Sequence, residues 1–128
     1  MGDEMSQQAN NPKHAIGRTK QSYRCVPPVA FAALGTVMQG GADKYGPFNW
    51  GEAGVTATVY YDAALRHLIA WFTGQDLDPE SGQPHLAHVM ACCAILLDST
   101  ALGNLEDDRP SGSTFPVIAK GPADERDG

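Results

Sequence analysis

The sequence predicts an all-α fold, a small bundle of three helices joined by short connections. Apolar residues recur at helical spacing in three segments between Pro28 and Leu97. Proline or glycine stands where these segments would begin or stop. The connections between them are short, which makes consecutive helices neighbours in a bundle.

Helix one runs from Pro28 to about Gln39. Pro27-Pro28 suits a first turn, where the missing N–H is no loss, and Gly40-Gly41 reads as the stop. Residues 42–51 then read as a structured loop punctuated by Gly, Pro and Asn. Tyr45, Phe48 and Trp50 are large for so short a loop and need the core or a flat ligand to pack on. Helix two covers about Thr56 to Thr73. Its β-branched start resembles a strand, but the periodic run is too long for one. Leu65, Leu68, Ile69 and Phe72 form its expected buried stripe, beside a second stripe of Tyr60, Ala64, His67 and Trp71. Asp62 precedes Arg66 by four residues, a favourable exposed pair. Helix three runs from near Pro84 to about Leu97. It is expected to bury Leu86, Val89, Met90, Cys93 and Leu97, with His85, His88 and Cys92 on the adjacent face.

With 128 residues the chain has room for one domain. Residues 1–20 and 104–128 read as disordered, solvated tails, because neither holds enough apolar side chains to offset the entropy of ordering it. The helical domain is then 21–103, about 80 residues, which is small for an independent core. A homo-oligomer, dimer or tetramer, would complete it. The formal net charge of −6 and the lack of a basic arm weigh against direct DNA binding. A few cations focused in one cleft still suffice for a nucleotide. Cys25, Cys92 and Cys93 show no CxxC spacing and suit reduced thiols. No apolar run approaches the roughly 20 residues that cross a membrane. The polar start lacks the layout of a signal peptide. The expected setting is cytoplasmic, with no membrane partner.

Three of the four histidines, His67, His85 and His88, fall in one helical hairpin whose connection supplies Asp76, Asp78 and Glu80. His85 and His88 are i and i+3 and share a face. His67 lies near the end of the preceding helix, level with His85 in an antiparallel pair. Imidazoles and carboxylates together suit a divalent metal, with histidine favouring Mn, Fe, Co, Ni or Zn over Mg. Taken singly, a histidine is more often a hydrogen-bonded core or surface residue than a ligand, and it is the clustering of three beside carboxylates that points to metal. Arg66 is either the partner of Asp62 or a planar phosphate clamp beside the metal. Lys44 is a surface lysine or a phosphate neutraliser, and Asn49 a turn residue or the reader of a base edge. Walker-type, GxGxxG and GxSxG motifs are all missing. No histidine is followed by aspartate, as an HD phosphohydrolase requires.

The strings GADKYGPFNWGEAG, YxxALRHLIAWFTG and DPESGQPHLAH resemble the dATP/dGTP diphosphohydrolase family of bacteriophages, a group that includes the MazZ proteins. The resemblance covers about Val26 to Leu97. It implies a MazG-like helical bundle, oligomeric and dependent on a divalent metal, Mg²⁺ or Mn²⁺. It also implies hydrolysis of dATP and dGTP to the monophosphate and pyrophosphate, in nucleotide-pool control and 2-aminoadenine DNA synthesis, within the host cytoplasm. The matching positions are Lys44, Tyr45, Asn49, Trp50, Arg66, His67, Trp71, Asp78, Glu80, Ser81, Gly82, His85 and His88.

Within that set, Arg66, Glu80 and Lys44 are the expected catalytic residues. Lys44, Tyr45, Asn49, Trp50 and Arg66 are expected to bind substrate, and His67, Asp78, Glu80, His85 and His88 to ligate metal. Two features depart from the pattern. Gly74-Gln75 stands where the family commonly reads Gly-Glu, and the ExxE and ExxD metal motifs of MazG-like enzymes are absent, with His85-Leu86-Ala87-His88 in the place of ExxD. The alternative reading is an inactive nucleotide- or metal-binding regulator of the same fold. A structural phage assembly protein is a third.

Overall fold

A computed structural model describes residues 10–112 and 114–116. The outer parts of both expected tails, 1–9 and 117–128, lie outside the described residues. The chain is mostly helical. It forms α1 (Pro12–Arg18), α2 (Pro28–Tyr45), α3 (Trp50–Ala53), β1 (Val55–Thr56), α4 (Ala57–Phe72), α5 (His85–Leu102) and β2 (Leu105–Glu106). The all-α prediction holds, with one addition: the two short strands pair in parallel, Val55 opposite Leu105 and Thr56 opposite Glu106.

Helix α5 is the centre of the bundle. It packs along α4 on one side and against α2 on the other, with α3 capping its far end. It has the length and composition of a membrane-crossing helix. A central helix of a helical bundle has the same character, and this one carries two histidines in its first turn.

Helix α2 is six residues longer than its sequence boundary, which ended at Gln39. Gly40 and Gly41 keep negative φ and continue the helix. The stop comes at Gly46, whose φ of 90° only glycine adopts without strain, and whose N–H returns to the Ala42 carbonyl. The expected loop 42–51 is therefore helical at both ends, and only Gly46–Asn49 link α2 to α3.

The faces that meet differ from those expected. Helix α5 turns Ala87, Ala91 and Ser99 inward, and α4 contributes Ala57. Small side chains let the helices approach closely. The stripe Leu65, Leu68, Ile69 and Phe72 points outward instead, Ile69 being 59% and Phe72 82% exposed. On α5, Leu86, Cys93 and Leu97 are likewise exposed, while Val89 and Met90 are half-buried. The neighbouring stripe of α4 turns inward as far as His67, whose ring lies against His85 and His88 of α5. Helical period was legible in the sequence, but it does not say which of two adjacent stripes meets the partner helix.

The segment after Gly103 joins the fold as far as Asp108. Asn104 donates through Nδ2 to the carbonyls of Trp50 and Gly51 at 2.8 and 3.0 Å. Asp108 accepts hydrogen bonds from the N–H and the hydroxyl of Thr58. Helix α4 has no side-chain cap of its own at Thr56, so a carboxylate from the far end of the domain satisfies its first turn. At the other end, α1 is a short exposed helix capped by Asn11.

Candidate metal and nucleotide site

The connection between α4 and α5 is compact because its backbone bonds to itself. Gly74, at φ 105°, turns the chain out of α4, and the Gln75 N–H returns to the Ala70 carbonyl. Asp78 N–H donates to the Gln83 carbonyl at 2.8 Å, and Gly82 N–H donates to the Asp78 carbonyl at 2.7 Å. His85 N–H reaches the Asp76 carbonyl at 2.9 Å, which ties the first turn of α5 to the loop. These bonds hold Asp78 over the histidines.

Side chains complete the site. His67 stacks on His88 with ring centres 4.4 Å apart and planes 7° from parallel. The Asp78 carboxylate lies 3.4 Å from His88 Nε2 and accepts from the Glu80 N–H and the Ser81 hydroxyl, each at 3.2 Å. Ser81 Oγ also meets His88 Nε2 at 2.7 Å. His67, Asp78 and His88 each offer a ligand atom, and the three atoms lie within 4.8 Å of one another. Two imidazole nitrogens and a carboxylate oxygen form a donor set suited to a divalent first-row metal.

The electrostatics favour ligation. Burial, then the neighbouring His88, holds His67 below the ordinary histidine value. Burial also lowers His88, against the opposing pull of Asp78. Both shifts favour the neutral ring, the form that binds metal. Burial pushes the Asp78 carboxyl up, but hydrogen bonds from Glu80 and Ser81 and the two histidines outweigh it and keep it below the usual range.

A groove of about 1120 Å³ opens beside this cluster, between α2, α3 and α5. Lys44, Tyr45, Asn49, Trp50, Glu80 and His88 all line it. Six of the residues singled out in the sequence thus share one cavity, and His88 belongs to both cavity and donor trio. Arg66, His67, Asp78 and His85 lie outside the groove lining. Arg66 is exposed and makes no salt bridge with Asp62 among the described residues. Its charge is felt by His67 and Cys92, so it lies near both. His85 is 4% exposed and has both ring nitrogens engaged, with His67 Nδ1 at 2.9 Å and Gln75 Oε1 at 2.6 Å. It sits beside the trio rather than in it. Glu80 is exposed on the groove wall, also outside the trio.

The model of the N-terminal domain of dATP/dGTP diphosphohydrolases matches residues 10–109. The chain belongs to this family. As a dATP/dGTP diphosphohydrolase domain, it extends over α1 and over the Asn104–Asp108 segment, both beyond the 21–103 boundaries read from the sequence. No curated protein and no solved structure matches the chain.

Sequence reasoning missed Asp98 and Asn104. Trp50 reads as a core anchor in the structure: it is 9% exposed, and its indole N–H donates to Asp98 Oδ2 at 2.7 Å. The signal was present, because Asp98 is the only acidic residue of α5. Asn104 had no such signal in its polar surroundings.

Proposed function

We propose that this domain hydrolyses dATP and dGTP to the monophosphate and pyrophosphate with the help of a divalent metal held by His67, Asp78 and His88. The observation that carries the reading is the meeting of the donor trio, through His88, with a groove of about 1120 Å³. Family membership supports the substrate class.

In this reading water attacks the α-phosphorus. A new P–O bond forms there as the bond to the bridging oxygen breaks, and pyrophosphate leaves. A bound divalent ion supplies Lewis acidity toward the phosphate oxygens and lowers the pKa of water. Lys44 neutralises phosphate charge from the groove wall. Glu80, exposed beside His88, accepts the proton of the attacking water. Tyr45, 70% exposed at the groove, packs on the purine, and Asn49 offers its amide to the base edge. Trp50, fixed by Asp98, forms the wall rather than a mobile stacking plate. Arg66, exposed and near His67, serves as a planar clamp on the phosphates.

The outward apolar stripe of α4 is the surface on which a second copy completes the core, giving a homo-oligomer. The proposed setting is a phage-infected cytoplasm, where the activity trims the purine deoxynucleotide pool and supports 2-aminoadenine DNA synthesis.

The test is incubation with the eight common NTPs and dNTPs, with Mg²⁺ or Mn²⁺, followed by chromatography. Monophosphate and pyrophosphate from dATP and dGTP alone are expected. Protection from heat by nucleotide without turnover would replace the enzyme with a binding regulator.

A further inference from the structure

Behind the donor trio lie two side chains that the proposed chemistry does not use, joined in line to His67. Gln75 Oε1 meets His85 Nε2 at 2.6 Å, and His85 Nδ1 meets His67 Nδ1 at 2.9 Å. His85 is buried, so neither contact can be exchanged freely for water. Each member of the line is anchored. The Gln75 N–H is bonded to the Ala70 carbonyl, and the His85 N–H to the Asp76 carbonyl. His67 is held flat against His88.

With the His85 ring neutral and the Gln75 amide oxygen turned toward it, the hydrogen-bonding rules leave one assignment. An amide oxygen accepts only, so His85 must carry its proton on Nε2. In a neutral imidazole the other nitrogen is then an acceptor, so His85 Nδ1 must receive a proton from its neighbour. That neighbour is His67 Nδ1, which therefore bears hydrogen. The remaining nitrogen of His67, Nε2, is left with a free lone pair.

We infer that Gln75 is a positioning residue, which acts through buried His85 to fix His67 in the Nδ1–H tautomer and so leaves Nε2 as its ligating nitrogen. The inference rests on the reading of His67 as a metal ligand. It extends that reading by giving Gln75 and His85 a function two and one contacts away from the ligand His67. A metal-bound histidine usually donates its second ring N–H to an acceptor that sets its orientation. Here the acceptor is a second histidine, and the acceptor behind that one is an amide. The arrangement also explains why a third histidine lies in the hairpin without joining the trio: His85 spends both nitrogens on the line.

The test uses the full chain labelled with ¹⁵N-histidine, metal-free, in a long-range ¹H–¹⁵N correlation experiment that reads the tautomer of each ring. In the unmodified protein His67 is expected as Nδ1–H and His85 as Nε2–H. Gln75 is exposed, so Gln75→Leu should fold, and its circular dichroism is checked against the native chain. Leucine offers no acceptor, so the variant is expected to show mixed tautomers at His67. Its affinity for Mn²⁺, measured by calorimetry, is expected to fall about 10- to 100-fold. Gln75→Glu keeps an oxygen acceptor at the same place and should restore both readouts. Finding His67 protonated on Nε2 in the native protein would overturn the inference. So would a Gln75→Leu variant with unchanged tautomers or unchanged Mn²⁺ affinity. If the tautomers respond as described but the native chain binds no divalent ion, the line of hydrogen bonds stands and the metal reading falls.

Discussion

Replacing Asp98 with alanine should both destabilise the domain and loosen the groove wall. The Trp50 indole N–H donates to a carboxylate at 2.7 Å in a part-buried setting, 48 residues away along the chain. A hydrogen bond to a charged group contributes about 1.5–3 kcal/mol, and an indole N–H left buried without a partner forfeits that contribution. With a urea dependence of about 1–3 kcal/mol per molar for a domain of this size, a loss of about 2 kcal/mol moves the unfolding midpoint down by roughly 1 M. Asp98→Asn keeps an acceptor oxygen and should lose less than half as much. The assay is urea unfolding followed by tryptophan fluorescence, for Asp98→Ala, Trp50→Phe and the double variant. A coupling energy of at least about 1 kcal/mol is expected, since the pair is in direct contact. Purely additive effects, or an unchanged midpoint in Asp98→Ala, would refute the view of Trp50 as an anchored wall.

Asn104→Ala should cost about 1–3 kcal/mol, because Asn104 makes two hydrogen bonds to the α3 backbone, and truncation after Gly103 should lower Tm further. Thermal unfolding that ignores residues 104–108 would return them to the status of a solvated tail. Acid should weaken the metal-free protein early. His67 and His88 titrate below 6.5 when folded, so below that value the unfolded chain binds more protons and stability falls as pH drops. In EDTA, the unfolding free energy is expected to be level above pH 7.5 and to decline toward pH 5, by at most about 1.4 kcal/mol per pH unit for each histidine. A flat profile would contradict the burial of these rings. Ile69→Glu with Phe72→Ser should leave helix content intact while shifting the sedimenting species to monomer. An unchanged mass would remove the α4 stripe from the oligomer contact.

The sequence revealed most where side-chain chemistry repeats along the chain. The three long helices follow from period and punctuation, and the convergence of His67 with His85 and His88 follows from antiparallel geometry. The groove residues Lys44, Tyr45, Asn49 and Trp50 were visible as a crowded aromatic segment. What escaped was decided by competition between near-equal options. Gly40-Gly41 can end a helix or continue one, and the positive φ needed for a stop fell at Gly46 instead. Helix α4 has two adjacent stripes, and the one with Tyr60, Ala64 and His67 turns toward α5, whose buried residues Ala87, Ala91 and Ser99 are small. The division of labour between His85 and His88 depends on where Gln75 and Ser81 stand. Those contacts span a turn whose backbone bonding cannot be read from spacing. Asp108 as a cap for Thr58 is a contact across 50 residues, with no local signature.

The central claim is that His67, Asp78 and His88 hold the metal that hydrolysis needs. It is tested most directly by measuring dGTP turnover for the native chain and Asp78→Asn across a Mn²⁺ titration, with products resolved as dGMP and pyrophosphate. Native protein stripped with EDTA should be inactive and should recover on adding Mn²⁺. Asp78→Asn, folded by circular dichroism, should lose at least about 100-fold in turnover and need far more metal. Turnover by the stripped chain, or a variant that matches the native protein at every Mn²⁺ concentration, would contradict the account.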